Sequence, residues 1–416
     1  MYKRQDKYAE YFNYNRIMNI PYIYKSTIVS DLKDFFVKNI DLDNQVAILV
    51  AAGPSLDENM EYLKMVKGRA FIFAVDSAIR MCESYGVRPD AYVTIDPQKQ
   101  EILFDNETAE NTPLFWGLQS VNKQIARLKE RKFFCNMDSY LPDEFKGKIQ
   151  FIAAGGSVAN TAFSILQYMG FHKIIAIGLD LAFLNNKKHA SIVYDDGGIN
   201  ANDMKKYTQV KGIDGRELLT YNNFVAYKED FEERIKNDEK LLFVNASNGA
   251  YIEGAIHMPF QEAVEKYVPD RIIDYERIIQ MCPKSNSIKD GMKYEKCILN
   301  YIEKCKAIRA DYKKCYQLYK KLKNTESMED VNTTIQKINN LYIKAEQSFA
   351  GQLIVDYSSK EADRILNSMY KESVNSDKYS QDDLISIAEK GMKISKVFME
   401  NAEKTEKMFI KCMENV

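Results

Sequence analysis

The sequence predicts an α/β protein: a Rossmann-like, doubly wound sheet of mostly parallel strands, followed by an all-α helical bundle. Three observations carry that expectation. Short, continuously apolar runs recur between helix-length segments through the first two-thirds of the chain, the pattern of strands buried on both faces of a parallel sheet. The first of them, residues 46–52, ends in Gly53-Pro54-Ser55, a tight exit from a strand into a helix. After Pro283 there is no proline, and only Gly291, Gly351 and Gly391 interrupt apolar residues spaced three and four apart, which is helical periodicity.

In chain order, residues 1–44 are rich in Tyr, Asn and Lys without a clear period and are expected to form a leader. The α/β domain is expected over 45–265. Its strands are read at 46–52, 70–75, 91–95, 114–116, 133–135, 174–177 and 241–244. Leu56, Met60, Leu63 and Val66 mark a helix after the first strand, and Phe163, Leu166 and Met169 mark another before the sixth. A helical domain is expected over 266–416. There Ile298, Ile302, Cys305, Ile308, Tyr312, Cys315, Leu318 and Leu322 form one stripe, and Val331, Ile335, Ile338, Tyr342, Ala345 and Phe349 another. Such stripes are read as the core of a three- or four-helix bundle, through which the chain could also self-associate.

Composition narrows the function. Hydrophobic residues make up 45% of the chain, enough for a sizeable core. The 58 basic and 59 acidic side chains nearly cancel, so no global field draws the protein to nucleic acid or an anionic membrane. Seven cysteines without a Cys-x-x-Cys pair argue against a disulfide framework or a zinc ribbon and for reduced thiols in a cytoplasm. The polar start has no signal-peptide pattern, and no apolar run approaches the roughly 20 residues of a membrane span.

Four groups of residues and one histidine could carry chemistry. Gly53, Pro54 and Ser55 follow a buried strand where glycine allows close backbone approach and the next helix offers free N–H groups to a phosphate. The alternative is a plain turn with Ser55 or Asp57 as N-cap. Gly155 and Gly156, with Ser157, Asn160 and Thr161 on the following first turn, make a second such helix start. Asp76, Asp96 with Gln98, and Asp180 stand at strand ends, where they could bind ribose, an amine or a divalent cation, or cap helices and loops instead. Asn245, Ser247, Asn248 and Gly249 lie where the last strand runs into polar chain and could hydrogen-bond a base or sugar. Of three histidines, His189 lies in a polar loop beyond Asp180, where an imidazole could take a proton from an attacking hydroxyl. His172 reads as structural, and His257 shows no partner in the sequence.

Gly53-Pro54-Ser55-Leu56, Ile95-Asp96-Pro97-Gln98, residues 155–162 and Gly178-Leu179-Asp180-Leu181-Ala182-Phe183 stand in the order seen in motility accessory factors. Lys188-His189-Ala190, Gly212 with Gly215 and Thr220, and residues 245–254 extend the match. Over about residues 46 to 260 the chain resembles that family. The resemblance implies transfer of a nonulosonic sugar, such as pseudaminic or legionaminic acid, from its CMP-activated form to Ser or Thr hydroxyls of flagellin, without a required metal. The domain is also distantly similar to bacterial sialyltransferases. Carried over by position, Gly53, Pro54 and Ser55 approach the nucleotide phosphate; Gly155, Gly156, Ser157, Asn160 and Thr161 surround the donor. Residues 245–249 touch nucleotide or sugar, and His189 and Asp180 are the catalytic candidates. The large domain that usually precedes this core in the family is not expected in this chain, which leaves acceptor choice open. Two alternatives stand beside this reading. One is a pyrophosphokinase resembling archaeal hydroxymethylpterin enzymes, with Asp76, Asp96 and Asp180 holding magnesium; the other is a noncatalytic flagellin-binding assembly factor.

Overall fold

Seven apolar runs become seven central strands because each can bury both faces. The computed structural model describes residues 2–128, 131–191, 201–284, 293–325, 327–367 and 380–415. The strands are β1 (Thr27–Ile28), β2 (Ala47–Val50), β3 (Phe71–Val75), β4 (Ala91–Thr94), β5 (Leu114–Trp116), β6 (Lys132–Phe134), β7 (Lys173–Ile177), β8 (Tyr207–Lys211), β9 (Glu217–Tyr221), β10 (Leu242–Asn245) and β11 (Ile256–His257). Nine of them form one sheet in the order β1-β6-β5-β4-β3-β2-β7-β10-β11. Every pairing in it is parallel. Every residue of β2, β3 and β4 is buried, as parallel strands covered on both faces require. Phe71 and Phe73 continue into Phe115 and Phe133 with ring centroids 4.9–5.9 Å apart, an aromatic spine built from β3, β5 and β6.

The helices that matter below are α1 (Tyr2–Met18), α2 (Val29–Asn39), α3 (Leu56–Met65), α4 (Val158–Met169), α5 (Asn222–Asn237), α6 (Tyr294–Leu322), α7 (Met328–Glu346), α8 (Phe349–Asn367) and α9 (Gln381–Glu414). The chain divides into two compact units, Tyr22–Asp138 with Ile149–Ser287, and Met1–Pro21 with Ser139–Lys148 and Ile288–Val416. The fold class is therefore the expected one, an α/β sheet unit and a helical unit. The expected leader is shared between them: residues 1–21 count with the helices, while β1 and α2 belong to the sheet unit. Tyr-rich helices and a two-residue edge strand leave no strong period to read.

In the helical unit, the apolar stripes are core. Ile298, Cys305, Tyr312, Cys315 and Leu322 of α6 and Val331 and Ile338 of α7 are buried. Gly391 lets α9 come close to α6, since a Cβ there would lie 2.3 Å from the Tyr319 ring. Ser380 and Asp383 form a reciprocal capping box at the start of α9. None of the seven cysteines is in a disulfide. Among the described residues, no helix is long and apolar enough to cross a membrane.

Candidate functional site

The strand order reverses between β2 and β7: β3 to β6 lie to one side, β10 and β11 to the other. In an open α/β sheet the crevice beyond the carboxyl ends of two such strands is the usual ligand site. Gly53, Pro54 and Ser55 follow β2, and Gly178, Leu179 and Asp180 follow β7, so the two segments meet at that reversal.

Asp180 is the hub. Its side chain accepts from Ser55 N at 2.9 Å and from Asn248 N at 3.2 Å, and its backbone oxygen accepts from Ala250 N at 2.7 Å. One carboxylate thus ties the turns after β2, β7 and β10 together. Glycine is obligatory at two of these turns. A Cβ on Gly53 would meet Asp180 Oδ2 at 2.3 Å, and one on Gly249 would meet the Asp180 carbonyl oxygen at 2.0 Å. Burial raises the Asp180 carboxyl from its ordinary range to about 6, opposed by the hydrogen bonds from Ser55 and Asn248. Leu181 next to it has φ 49°, a left-handed conformation rare for leucine. It is held there because Thr220 Oγ1 donates to its carbonyl at 2.7 Å and its side chain packs on Ala182, Val210 and Ala250. The β8–β9 hairpin thus braces the Asp180 turn.

The His189 loop returns to the same place. Ala190 N donates to Ala52 O at 3.1 Å, and Ser191 N donates to the Asp57 carboxylate at 3.1 and 3.2 Å. Half-buried His189 therefore stands beside the Gly53–Ser55 turn. Asn248 Nδ2 donates to Glu58 at 2.7 Å, closing the other side.

Ser55 does not cap α3, as the structural alternative would have it. Its side chain makes no cap hydrogen bond, and its buried Oγ has no hydrogen-bond partner of good geometry, although it lies beside the Asp180 carboxylate. Asp57 is engaged by Ser191 and does not cap either. Both amide atoms of Asn245, fully buried at the end of β10, also lack partners. Buried polar groups are normally satisfied, so unfilled Ser55 and Asn245 side chains mark the β2 and β10 ends as built for something more than the fold.

Other sequence candidates are consumed by the fold. Ser157 Oγ accepts from Asn160 N at 3.1 Å, the N-cap of α4, and also bonds Asn160 Oδ1. Asn160 Nδ2 donates to Asp230 at 2.7 Å and to Tyr227 O at 2.9 Å. Thr161 Oγ1 shares its one proton between Ala154 O at 2.7 Å and Ser157 O at 2.8 Å. These three side chains, expected around a donor, are used to shape their own turn, because a helix start needs its orphan N–H groups satisfied. Gly155 and Gly156 belong to that turn, with the Tyr227 ring against Gly156. Ser247 Oγ accepts from Leu179 N at 2.7 Å and is likewise internal. Asp96 Oδ1 accepts from Gln98 N at 2.8 Å, so one oxygen of this carboxylate closes a loop turn. His257, read as partnerless, bonds the Ile252 backbone at 3.0 Å and stacks on Tyr251.

Asp76 departs most from expectation. It is fully buried, accepts from Thr94 Oγ1 at 2.8 Å and pairs with Lys99 Nζ at 2.9 Å, so it is neutralised from within and not open to a cation. Lys99 was not read as a site residue; the signal was a lysine in the same strand-end segment as Asp96 and Gln98. Thr220, part of the family resemblance, was given no role, and Glu58 was missed because it has no distinctive local pattern. Among the described residues, no three His, Cys, Asp or Glu side chains gather as metal ligands.

Comparison with known proteins places this geometry in a context. Residues 14–186 match the family model of MptE-like 6-hydroxymethylpterin diphosphokinases. A 52-residue stretch, 12% of this chain and 25% of the relative, is 40% identical to an uncharacterized protein of Treponema pallidum (strain Nichols). The fold matches that of the Maf glycosyltransferase from Magnetospirillum magneticum AMB-1 with a TM-score of 0.56 at 11% identity, covering 98% of this chain. The chain spans 60% of that protein's length. The resemblance to motility accessory factors is thus borne out, at the level of an MptE-like domain and a Maf-like fold.

Proposed function

We propose that this chain, an MptE-like domain carried in a Maf-like fold, is a glycosyltransferase that moves a nonulosonic sugar from its CMP-activated form to a Ser or Thr hydroxyl of flagellin. The observation that carries the reading is the turn at Gly53–Ser55. It lies at the switch point, leaves its hydroxyl unfilled and opens an uncapped helix, the arrangement that suits a nucleotide phosphate. The Maf glycosyltransferase fold supports the sugar-transfer chemistry by analogy.

The reaction in this reading is one inverting displacement. His189 accepts the acceptor hydroxyl proton as that oxygen bonds to the anomeric carbon, and the bond from carbon to phosphate oxygen breaks with its electrons leaving on CMP. Asp57 N and the Ser55 hydroxyl at the start of α3 receive the departing charge, the neighbouring N–H groups being engaged within the fold. Asp180 acts as a positioning residue, holding the Ser55 and Asn248 turns about the donor. No metal is required in this scheme.

The matched family description favours a second reading, diphosphate transfer from ATP to a pterin. Engagement of Asp76 by Lys99 and Thr94 weighs against it, because that carboxylate is one of three the reading needs for magnesium. Calorimetry with CMP, ATP and GDP, each with and without magnesium, separates the two. CMP binding without magnesium, weakened in Ser55→Ala, is the expected result; binding of ATP with magnesium alone replaces the glycosyltransferase with the pyrophosphokinase.

A further inference from the structure

Lys99 does more than neutralise Asp76. We propose that its ammonium is an oxyanion-binding group of the crevice, donating to a phosphate or carboxylate oxygen of the bound donor. The inference rests on the reading of that crevice as a donor site.

Register fixes where Lys99 stands. Val50 pairs with Ala74 and with Ile177, and Val75 with Val93. Carried two residues further, Ala52 is level with Asp76 and with Leu179; Asp76 is level with Thr94, as their hydrogen bond shows. Adjacent strands lie about 5 Å apart. An ammonium 2.9 Å from Asp76 therefore stands within about two strand spacings of the Gly53–Ser55 turn, at the same edge of the sheet.

A lysine ammonium has three N–H groups. One faces Asp76 and a second faces Ser77 Oγ at 2.7 Å, and the third has no partner among the described residues. The side chain is 15% exposed and Asp76 is not exposed at all. A buried carboxylate thus aims the ammonium and leaves one donor for something outside the fold. The charges nearby create a need for it. Asp57 and Glu58 occupy the first turn of α3, where they oppose an anion that the helix N-terminus would otherwise attract. The Oγ of buried Ser55, beside the Asp180 carboxylate but without a hydrogen-bond partner of good geometry, is a second polar group at this turn that a ligand oxygen can engage.

The test is calorimetric titration of CMP, CMP-N-acetylneuraminate and ATP into the full chain, its Lys99→Gln variant and the double variant Asp76→Asn/Lys99→Gln, with a melting temperature for each. The double variant removes both charges together, so no buried carboxylate is left unpaired. It should melt within a few degrees of the wild type and bind its ligand tenfold or more weakly. Loss on CMP assigns the contact to the phosphate; loss on CMP-N-acetylneuraminate alone assigns it to the sugar carboxylate. A folded double variant that binds every ligand within twofold of the wild type overturns the proposal and leaves Lys99 a structural counter-ion. If the wild type binds ATP but neither cytidine ligand, the donor reading fails, while a tenfold loss for ATP in the double variant still upholds Lys99. Binding of none of the three overturns both. Should the double variant not fold, Asp76→Leu/Lys99→Met carries the same outcomes.

Discussion

The turn at Gly53–Ser55 and the turn at Gly155–Ser157 each lead from glycine through serine into a helix of the α/β unit, and they use their polar groups in opposite ways. At the second turn Ser157 caps α4, and Asn160 and Thr161 bond to the surrounding chain. At the first, Ser55 caps nothing, its hydroxyl is unfilled, and the backbone N–H beside it goes to Asp180. A helix start whose side chains are all committed has no capacity for a ligand; the first turn engages its Gly53, Ser55, Leu56 and Glu58 N–H groups within the fold but leaves the Ser55 hydroxyl uncommitted. The difference predicts that changes at the two turns separate stability from binding.

The harshest change is a methyl group on the glycines. Gly53→Ala drives a Cβ against Asp180 Oδ2, and Gly155→Ala drives one against Asp230 Oδ2 at 2.4 Å with φ already at 62°. Each should cost about 1–3 kcal/mol in chemical denaturation. CMP affinity should fall about 100-fold in Gly53→Ala, through displacement of the turn, and stay unchanged in the folded fraction of Gly155→Ala. Equal losses of affinity would erase the distinction between the turns.

Asp180→Asn comes next. An amide cannot accept from both Ser55 N and Asn248 N, so one buried donor is orphaned at about 1–3 kcal/mol, and CMP binding should weaken together with the melting temperature. In the wild type, pH acts on the same carboxylate and separates the two effects. Asp180 has a folded pKa raised to about 6, so the folded state holds this proton more tightly than the unfolded chain. Its contribution to stability is therefore complete below the ordinary carboxylate range and is lost as pH rises through about 6. Protonation removes an acceptor from the clasp, so CMP affinity should fall as pH drops below about 6 while this group's contribution to stability grows. A pH titration by calorimetry and thermal melting, in which affinity and stability instead decline together, would sink the assignment of Asp180 as the clasp.

Much of this was legible in the sequence, and the residues show why. Apolar runs marked β2 to β7 and β10 because strands buried on two faces admit little else, and the strand-end position of Asp180 drew attention to the turn it now holds. Partner choice was not legible. Ser55 and Ser157 look alike until the chain folds, since the acceptor of one backbone N–H lies 125 residues away in sequence. Asp76 looked like Asp180 as a strand-end acid, but Lys99 occupies it, a contact between loops that no local period records. The edge strands β1 and β11 are two residues each, too short for any alternation to show.

The smallest change sharpens the comparison furthest. Ser157→Ala removes an N-cap, worth about 1 kcal/mol, and should lower the melting temperature without altering CMP affinity, because that hydroxyl is already committed to Asn160. Ser55→Ala removes a buried hydroxyl that lies beside the Asp180 carboxylate without a hydrogen-bond partner of good geometry. Deleting an unsatisfied buried polar atom is nearly neutral or stabilising, so its melting temperature should hold or rise slightly while CMP affinity falls about tenfold, the share of one good hydrogen bond to a charged group. The pair forms a double dissociation measurable on two purified variants. If Ser55→Ala destabilises as Ser157→Ala does and binds CMP as the wild type does, the first turn is a structural turn like the second, and the ligand site must be sought at the β10 end, where Asn245 keeps its amide unfilled.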